Sequence, residues 1–161
     1  MDETKQIDAK TFWRALGARA TGVVVATARG LDGPAGFLAL SATHVTADPP
    51  TMLVSIDKRT AALAAVLSAR HFALNFLAAG DRALADMFGG RGETRGADRF
   101  APDRWGTLVT GAPILNDAVG AIDCALAETI ERAGVVIAIG RVVDVVVRDG
   151  EPLLFFRGAY R

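Results

Sequence analysis

A basic pair lies between a predicted strand and a predicted helix near the middle of the chain. The apolar run Met52–Ile56 is typical of a short buried strand, and the polar residues Asp57, Lys58 and Arg59 follow it directly. Thr60 comes next and is a favourable N-cap residue. The predicted apolar face of the helix comprises Leu63, Val66 and Leu67. Two cationic side chains and the positive end of a helix dipole would then meet at one point, which suits an anion such as a phosphate. The local sequence fits equally well a surface turn in which Lys58 and Arg59 are only solvated.

Hydrolytic and nucleotide-triphosphate chemistry find no support in the order of residues along the chain. The chain contains no Ser-His-Asp order, no paired-carboxylate motif and no Walker-type phosphate loop. His44 and His71 are the only histidines and Cys124 is the only cysteine, so the sequence predicts no metal site and no internal disulfide. Cys124 stands in an apolar run and is expected to be a core residue without a redox role. These residues suit an enzyme whose cofactor carries the chemistry.

The bulk composition predicts one globular domain with an apolar surplus. The chain has 161 residues, of which 51% are hydrophobic, and a mean hydropathy of +0.29. We expect a single domain over residues 1–161 and, because isolated subunits rarely expose large apolar patches, a homodimer. Basic and acidic residues both number 18, so no general attraction to nucleic acid or to an anionic membrane is expected. The charged N-terminus lacks the apolar core of a signal peptide, and no apolar run reaches the length of a membrane span, so we expect a cytoplasmic location.

Short strands separated by turns are the elements that must position these residues. Asp8 is the expected N-cap of a first helix, and strands are predicted at Thr21–Thr27 and Phe72–Leu77. Two long β-rich runs, Ala121–Glu131 and Val135–Val147, flank turn residues and predict a hairpin. Many short strands with few helices predict a mainly β fold, an antiparallel barrel decorated by helices.

The segment Gly89–Arg104 differs from the rest of the chain. It contains four glycines and few apolar residues, together with four arginines at positions 91, 95, 99 and 104. This composition predicts a mobile, cationic loop of the kind that serves as a lid. An ordinary solvated connection is the alternative.

The order of motifs from Phe12 to Arg161 resembles the flavin reductase domain family, the FMN-binding split barrels that reduce free flavin with NAD(P)H. The matching segments are TGVVVAT at Thr21–Thr27, GFLALSATHVTADPP at Gly36–Pro50, VSIDKRT at Val54–Thr60, FALNFL at Phe72–Leu77, Arg99-Phe100, GAPIL at Gly111–Leu115, Cys124 inside a strand, Gly140-Arg141-Val142, and PLLFFRGAY at Pro152–Tyr160. The resemblance implies an antiparallel Greek-key split barrel that forms a homodimer with the flavin near the subunit interface.

The resemblance also implies which residues bind the flavin. The flavin ring and ribityl chain would lie along Leu38, Ala39, Leu40 and Ser41. The pyrimidine edge and phosphate would be bound by Ser55, Ile56, Asp57, Lys58, Arg59 and Thr60. The strand beside the ring would contribute Phe72, Ala73 and Asn75. Where the family usually has a Thr-Ala-Ser-Ser string, Leu38 and Leu40 replace two hydroxyl side chains, so backbone groups must supply most of the contacts. Asn75 has a second interpretation, since a buried amide in an apolar strand must find hydrogen-bond partners and can be purely structural.

The nicotinamide side of the implied site lacks a family residue. The family commonly has a Gly-Asp-His string just after the hairpin turn, whereas this chain has Ala133-Gly134-Val135-Val136, so that Val135 or Val136 takes the position of the histidine, depending on the alignment. We expect Arg99, or else His44, to replace the missing polar contact, since a guanidinium suits a dinucleotide phosphate.

The resemblance implies NAD(P)H-dependent reduction of FMN or FAD, with reduced flavin supplied to a partner monooxygenase. Two alternatives stay open. One is a reductase that retains its FMN and reduces another acceptor, such as a corrinoid or a quinone-like compound. The other is a flavin-binding module without turnover.

Overall fold

A computed structural model describes residues 6–161, so the first five residues of the charged N-terminal segment lie outside the described range. Within that range the chain forms twelve strands: β1 (Thr21–Gly22), β2 (Val24–Gly30), β3 (Gly33–Ala39), β4 (Thr43–Ala47), β5 (Pro50–Asp57), β6 (His71–Phe76), β7 (Trp105–Thr107), β8 (Pro113–Leu115), β9 (Gly120–Arg132), β10 (Val135–Val147), β11 (Leu154–Phe156) and β12 (Ala159–Tyr160). The helices of the same range are α1 (Ala9–Leu16), α2 (Ala62–Ala69), α3 (Arg82–Phe88) and a 3₁₀ helix at Gly96–Arg99. The expectation of a mainly β fold with few helices is confirmed.

Seven strands form one antiparallel sheet in the order β3-β2-β6-β9-β10-β5-β4. Its two edge strands, β3 and β4, are consecutive in the chain and are separated only by residues 40–42. The sheet must therefore curl until its edges approach each other. Ser41 lies in this connection, and its hydroxyl donates to the carbonyl of Ser55 (3.3 Å) and accepts from the N–H of Ser55 (3.2 Å). The result is a barrel that is split at its β3 and β4 edges, where the end of β3 also approaches the end of β5.

The barrel core follows from alternation along the strands. On β5 the side chains of Met52, Val54 and Ile56 point inward and are buried, while their neighbours are more exposed. Gly140 on β10 is required by a close approach, since a Cβ there would lie 2.7 Å from the ring of the buried Phe72. The long hairpin β9-β10 turns at Ala133-Gly134, where Ala133 has a φ of 47°. The predicted hairpin is therefore confirmed.

The second helix departs from its prediction. Thr60 is not its N-cap: its N–H closes a turn onto the carbonyl of Asp57 (2.9 Å), and α2 begins two residues later, after Ala61. Its buried residues are Ala62, Ala65 and Val66, and Leu63 is partly buried against the barrel core, so two of the three predicted apolar residues face the core. Leu67, expected in that face, is 41% exposed. Asp8 does cap α1, and its carboxylate accepts the N–H of Thr11 at 2.7 Å.

Among residues 6–161, no helix combines the length and the apolar character needed to cross a membrane.

Candidate functional site

A cleft of about 650 Å³ opens where the barrel is split. One wall is the end of β3 and the connection that follows it, and the opposite wall is the end of β5 with its turn. The lining residues are Trp13, Leu16, Arg19, Phe37, Leu38, Ala39, Leu40, Ser41, Ser55, Asp57, Thr60, Phe88 and Gly89. The volume suits a cofactor or a small substrate. The structure therefore brings together seven of the predicted residues, Leu38 to Ser41 with Ser55, Asp57 and Thr60.

The β3 wall offers backbone groups rather than hydroxyl side chains. β3 is an edge strand of the main sheet, so one of its sides has no neighbouring strand. The carbonyl of Gly36 accepts from Arg99 instead, at 3.0 Å. Because backbone direction alternates along a strand, we expect the N–H and carbonyl of Leu38 to face the same open side. The side chains of Leu38 and Leu40 pack against the cluster that contains Phe88, which makes this wall apolar.

Thr60 is the clearest free hydroxyl of the opposite wall. The hydroxyl of Ser41 is occupied by the backbone of Ser55, whereas that of Thr60 has no hydrogen-bond partner within the described residues. α2 begins just beyond Thr60, and its N-cap residue Ala61 supplies no side-chain hydrogen bond. The first N–H groups of the helix therefore lack a side-chain acceptor, and the partial positive charge of the helix start lies next to the cleft.

Asp57 brings a carboxylate to the cleft, and Arg59 neutralises it. The Arg59 guanidinium donates from Nε to Oδ1 (3.0 Å) and from Nη2 to Oδ2 (2.7 Å). The backbone N–H of Arg59 adds a third hydrogen bond at 2.8 Å. These hydrogen bonds, the side-chain ones first, lower the pKa of Asp57 to about 2. Arg59 thus stabilises the turn and does not line the cleft, and its predicted place beside the phosphate stays a prediction.

Lys58 also has a carboxylate partner. Its Nζ donates to Oε2 of Glu131 on β9 at 2.9 Å, and this hydrogen bond lowers the pKa of Glu131. Lys58 lies outside the cleft lining. Both side chains of the pair are well exposed, and such a surface ion pair contributes only about 0–1 kcal/mol. A more strongly charged anion in the cleft can therefore take Lys58 from Glu131 at little cost.

Four predicted site residues are buried in the barrel instead of lining the cleft. They are Ile56, Phe72, Ala73 and Asn75, each with no exposed surface. The side chain of Ile56 points into the core because it alternates with those of Ser55 and Asp57 along β5. Their side chains do not line the cleft, so only their backbone groups could contact a ligand there, and their place in the flavin site stays a prediction.

Asn75 is a structural amide. Its Oδ1 accepts the N–H of Leu115 at 2.8 Å. Its Nδ2 lies 3.2 Å from the carbonyl of Val25, 3.3 Å from that of Pro113 and 3.3 Å from the hydroxyl of Thr27. These contacts join β2, β6 and β8 inside the protein. The second interpretation of Asn75, a buried group that finds its partners, is the one the structure supports.

Arg99 is held by the protein and does not line the cleft. Its Nη2 donates to the carbonyl of Gly36 (3.0 Å), its Nε to that of Gly96 (3.1 Å), and its guanidinium lies 4.6 Å from the centre of the Phe88 ring. Burial, and secondarily the charge of Arg95, lowers its pKa. In this structure the guanidinium anchors the loop to β3, and its capture of a dinucleotide stays a prediction, since it would require Arg99 to leave these partners.

The other arginines of the Gly89–Arg104 segment also have protein partners. Arg104 pairs with Asp81 (3.1 Å) and Asp117 (2.9 Å), Arg91 pairs with Asp86 (3.4 Å), and Arg95 donates to the carbonyl of Gly92. At the end of the segment, Phe100 and Trp105 pack on Phe88 in an aromatic cluster. Arg91, Arg99 and Arg104 tie the segment to neighbouring elements, whereas Arg95 bonds only within the segment, and a mobile lid stays a prediction.

The two histidines and the cysteine do not line the cleft. The Nε2 of His71 accepts the N–H of Arg29 at 3.2 Å, so His71 supports the strand backbone. His44 is exposed on the edge strand β4 and outside the cleft lining. Cys124 is buried, which confirms a core residue, and burial raises the pKa of its thiol to about 12.

The two candidate positions of the missing histidine lie on opposite faces of β10. Val135 pairs with Asp57 across β10 and β5, and Val136 pairs with Ile56. Paired residues share a face of the sheet, so Val135 lies on the side of Asp57 whereas Val136 is buried in the core with Ile56. Neither residue lines the cleft, and Val135 is the one whose side chain shares a face with a cleft residue.

The sequence reasoning missed the contribution of α1 to the cleft. Trp13, Leu16 and Arg19 lie on this helix or just after it, and all three line the cleft. The signal that could have identified them is an amphipathic helix in which none of the apolar residues is buried.

Comparisons with known proteins agree with this geometry. A model of the family described as "Flavin reductase like domain" matches residues 16–161. The FMN reductase (NADH) RutF of Agrobacterium fabrum is 36% identical over 160 residues, covering 99% of this chain and 89% of that protein. The NADH:FAD oxidoreductase SgcE6 of Streptomyces globisporus superposes with a TM-score of 0.85 and 29% identity, covering 98% and 96% of the two chains. BorF, the flavin reductase component of a bacterial two-component tryptophan halogenase, superposes with a TM-score of 0.87 and 29% identity, covering 96% and 97%.

Proposed function

The chain belongs to the flavin reductase like domain family and is an NAD(P)H:flavin oxidoreductase, and we propose that it reduces FMN with NADH in the cleft between β3 and β5. One observation carries the location: the cleft lies in the split of the barrel and is lined on both sides by the segments that resemble the flavin-binding motifs. The choice of FMN and NADH rests on the relative of 36% identity, which is named for both. The whole chain, residues 1–161, acts as one domain in this proposal.

The residues of the cleft have separate roles in the proposed reaction. A bound flavin accepts a hydride and passes the electrons on, while the protein binds and orients it. The open edge of β3 holds the ring through backbone groups, and the leucines at positions 38 and 40 keep water from that face. Thr60 and the start of α2 hold the phosphate. Lys58 leaves Glu131 to join them, since its present ion pair is weak and exposed.

We further propose that FMN is an exchangeable substrate whose reduced form is delivered to a partner monooxygenase. The cleft offers few polar side chains, and two potential hydroxyl contacts are replaced by Leu38 and Leu40, which favours modest affinity. The structural neighbour BorF is a reductase component of a two-component system. We place the enzyme in the cytoplasm, where its co-substrate is available.

A homodimer completes the proposal. Exposed apolar side chains on the strands support it, since Val145 and Val147 share one face of β10 and are 54% and 83% exposed. Val45 on the edge strand β4 is exposed as well. Light scattering at micromolar concentration is expected to give twice the monomer mass of 16.9 kDa, and a monomer would contradict the dimer.

Oxidation of NADH in the presence of free flavins tests the reaction and its alternatives. We expect the rate to saturate with added FMN and to be negligible without flavin. Turnover that needs a further acceptor, with flavin retained through gel filtration, would favour the reductase that keeps its FMN. Flavin binding without NADH or NADPH oxidation would favour the module without turnover. Parallel assays with FAD and riboflavin measure the preference among flavins, and assays with NADPH measure the preference between NADH and NADPH.

A further inference from the structure

The first helix presents an aromatic side chain that the fold does not use. None of the described residues of α1 is buried, and Trp13 is 65% exposed. Its one aromatic neighbour is Phe12, on the same helix, at 5.4 Å between ring centres. A large exposed indole at the edge of a cleft is costly to leave in water and is suited to stacking on a planar ligand.

A second cavity of about 300 Å³ adjoins the cleft along this helix. The two spaces share four lining residues, which are Trp13, Leu16, Arg19 and Leu40. The far side of the second cavity is formed by Phe155 and Gly158. These shared residues, the shared wall, place the two spaces side by side, so a ligand that lies across them and is longer than the flavin ring would contact both.

Arg19 is the cation of this shared wall. Its guanidinium is exposed and makes no ion pair or hydrogen bond within residues 6–161. Lys58, Arg59 and Arg99, by contrast, are engaged by Glu131, Asp57 and the carbonyl of Gly36. Of these four cations, only Arg19 has no partner within the described residues, so an anion can bind it without displacing a carboxylate or a carbonyl. A guanidinium is well matched to phosphate oxygens.

The proposed reaction defines what must lie beside the flavin. Hydride transfer requires the donor ring within about 3–3.5 Å of the acceptor ring, so the site of the donor must open into the flavin cleft. A nicotinamide dinucleotide consists of two bases joined by a diphosphate. Its length and charge match a cleft, a cationic wall and an adjoining aromatic cavity in that order.

We propose that Trp13 and Arg19 form the subsite for the adenosine diphosphate half of NADH, an inference that rests on the proposed function. The nicotinamide lies in the cleft against the flavin, the diphosphate crosses the shared wall at Arg19, and the adenine stacks on Trp13 in the second cavity. In this arrangement α1, rather than the Gly89–Arg104 segment, selects the hydride donor.

Titration with ADP tests the subsite without turnover. ADP carries the adenine and the diphosphate but cannot transfer a hydride. We expect ADP to quench the tryptophan fluorescence of the flavin-free wild type. The chain has two tryptophans, and Trp105 is packed between Phe88 and Phe100, so the quenching is expected to disappear in Trp13→Phe. Unchanged quenching in Trp13→Phe, or none in the wild type, would overturn the proposal.

Variants of Arg19 test the charge. Arg19→Ala is expected to raise the KM for NADH and the Kd for ADP about five- to tenfold, with kcat within about twofold of wild type. Arg19→Lys should recover part of the loss, and the KM of the wild type should rise with ionic strength more than that of Arg19→Ala. The matched control is Arg14→Ala, an exposed cation of the same helix that borders neither cavity, and its KM should stay at the wild-type value.

The outcomes separate this proposal from the proposed function. If the wild type oxidises NADH in the presence of FMN but Arg19→Ala behaves like Arg14→Ala, the subsite is wrong and the reaction stands. If Arg19→Ala weakens FMN binding and leaves the KM for NADH unchanged, Arg19 serves the flavin phosphate and the subsite is again wrong. If no flavin supports NADH oxidation by the wild type, the proposed function itself fails.

Discussion

Replacing Asn75 by leucine is expected to destabilise the barrel without weakening flavin binding. Leucine has the same branched shape and the same number of side-chain heavy atoms as asparagine and is somewhat bulkier, so no cavity forms and the loss of hydrogen bonds dominates. The buried N–H of Leu115 loses its acceptor, and the amide donors to Val25 and Pro113 disappear. An unsatisfied buried N–H costs about 1–3 kcal/mol, and the two amide hydrogen bonds, which are long at 3.2 and 3.3 Å and so lie near the lower end of about 0.5–1.5 kcal/mol each, add about 1 kcal/mol. We therefore expect a loss of about 2–4 kcal/mol.

Urea denaturation is the assay for this loss. With a slope of about 2 kcal/mol per M, the unfolding midpoint of Asn75→Leu should fall by about 1–2 M at an unchanged slope. The melting temperature should fall by about 4–16 °C, since about 2–4 °C corresponds to 1 kcal/mol in a chain of this size. The control is Ser68→Ala, which removes one partly buried hydrogen bond within α2 and should shift the midpoint by much less. A variant of wild-type stability with a tenfold weaker affinity for FMN would refute the reasoning and restore Asn75 to the flavin site.

Three further perturbations test other parts of the account. Lys58→Ala and Thr60→Ala should each weaken FMN binding by about three- to tenfold and leave riboflavin, which lacks the phosphate, unchanged; equal losses for both ligands in a titration would disprove the phosphate assignment. Val135→His places an imidazole beside Asp57 and should lower the KM for NADH about two- to fivefold without changing the KM for FMN, whereas an unchanged KM for NADH would show that this position does not face the donor. Burial lowers the pKa of His71, which accepts the N–H of Arg29 in its neutral form, so the folded state resists a proton that the unfolded chain takes up below about pH 6.5. The stability of the wild type should therefore fall as the pH drops through that value towards the lower folded pKa. His71→Gln should flatten this part of the curve of urea midpoint against pH. Identical pH profiles for wild type and variant would show that His71 does not cause the fall.

The sequence predicted those features that depend on local pattern. Short apolar runs located β5 and β6, and the two long β-rich runs located the hairpin β9-β10. The edge strand β4 was missed because all five of its residues are exposed, which leaves no apolar alternation to detect. The start of α2 was placed too early because Thr60 closes a turn with Asp57, an event decided by backbone geometry rather than by capping preference.

The candidate site was predictable only in part, because long-range partners decide which charges are free. Lys58 looked available for a phosphate, but Glu131, which is 73 positions away in the chain, accepts its ammonium group. Arg99 looked like part of a mobile loop, but the edge of β3 supplies a carbonyl that no strand neighbour occupies. The sequence offered no reason to select Arg19. Its place in the cleft wall depends on the fold, which brings the residues after α1 to the cleft.

The central claim is that this cleft binds the flavin. Its most direct test is the KM for FMN of a variant in which a larger side chain fills part of the cleft. Thr60 lies on the cleft wall outside the regular elements, so Thr60→Trp adds bulk to the cleft without disturbing a strand or a helix. Leu31→Trp is the matched control, since Leu31 is 95% exposed in the β2-β3 turn and borders another surface. We predict that Thr60→Trp raises the KM for FMN in NADH oxidation at least tenfold while Leu31→Trp leaves it unchanged. Wild-type kinetics in a folded Thr60→Trp protein would contradict the assignment of this cleft to the flavin.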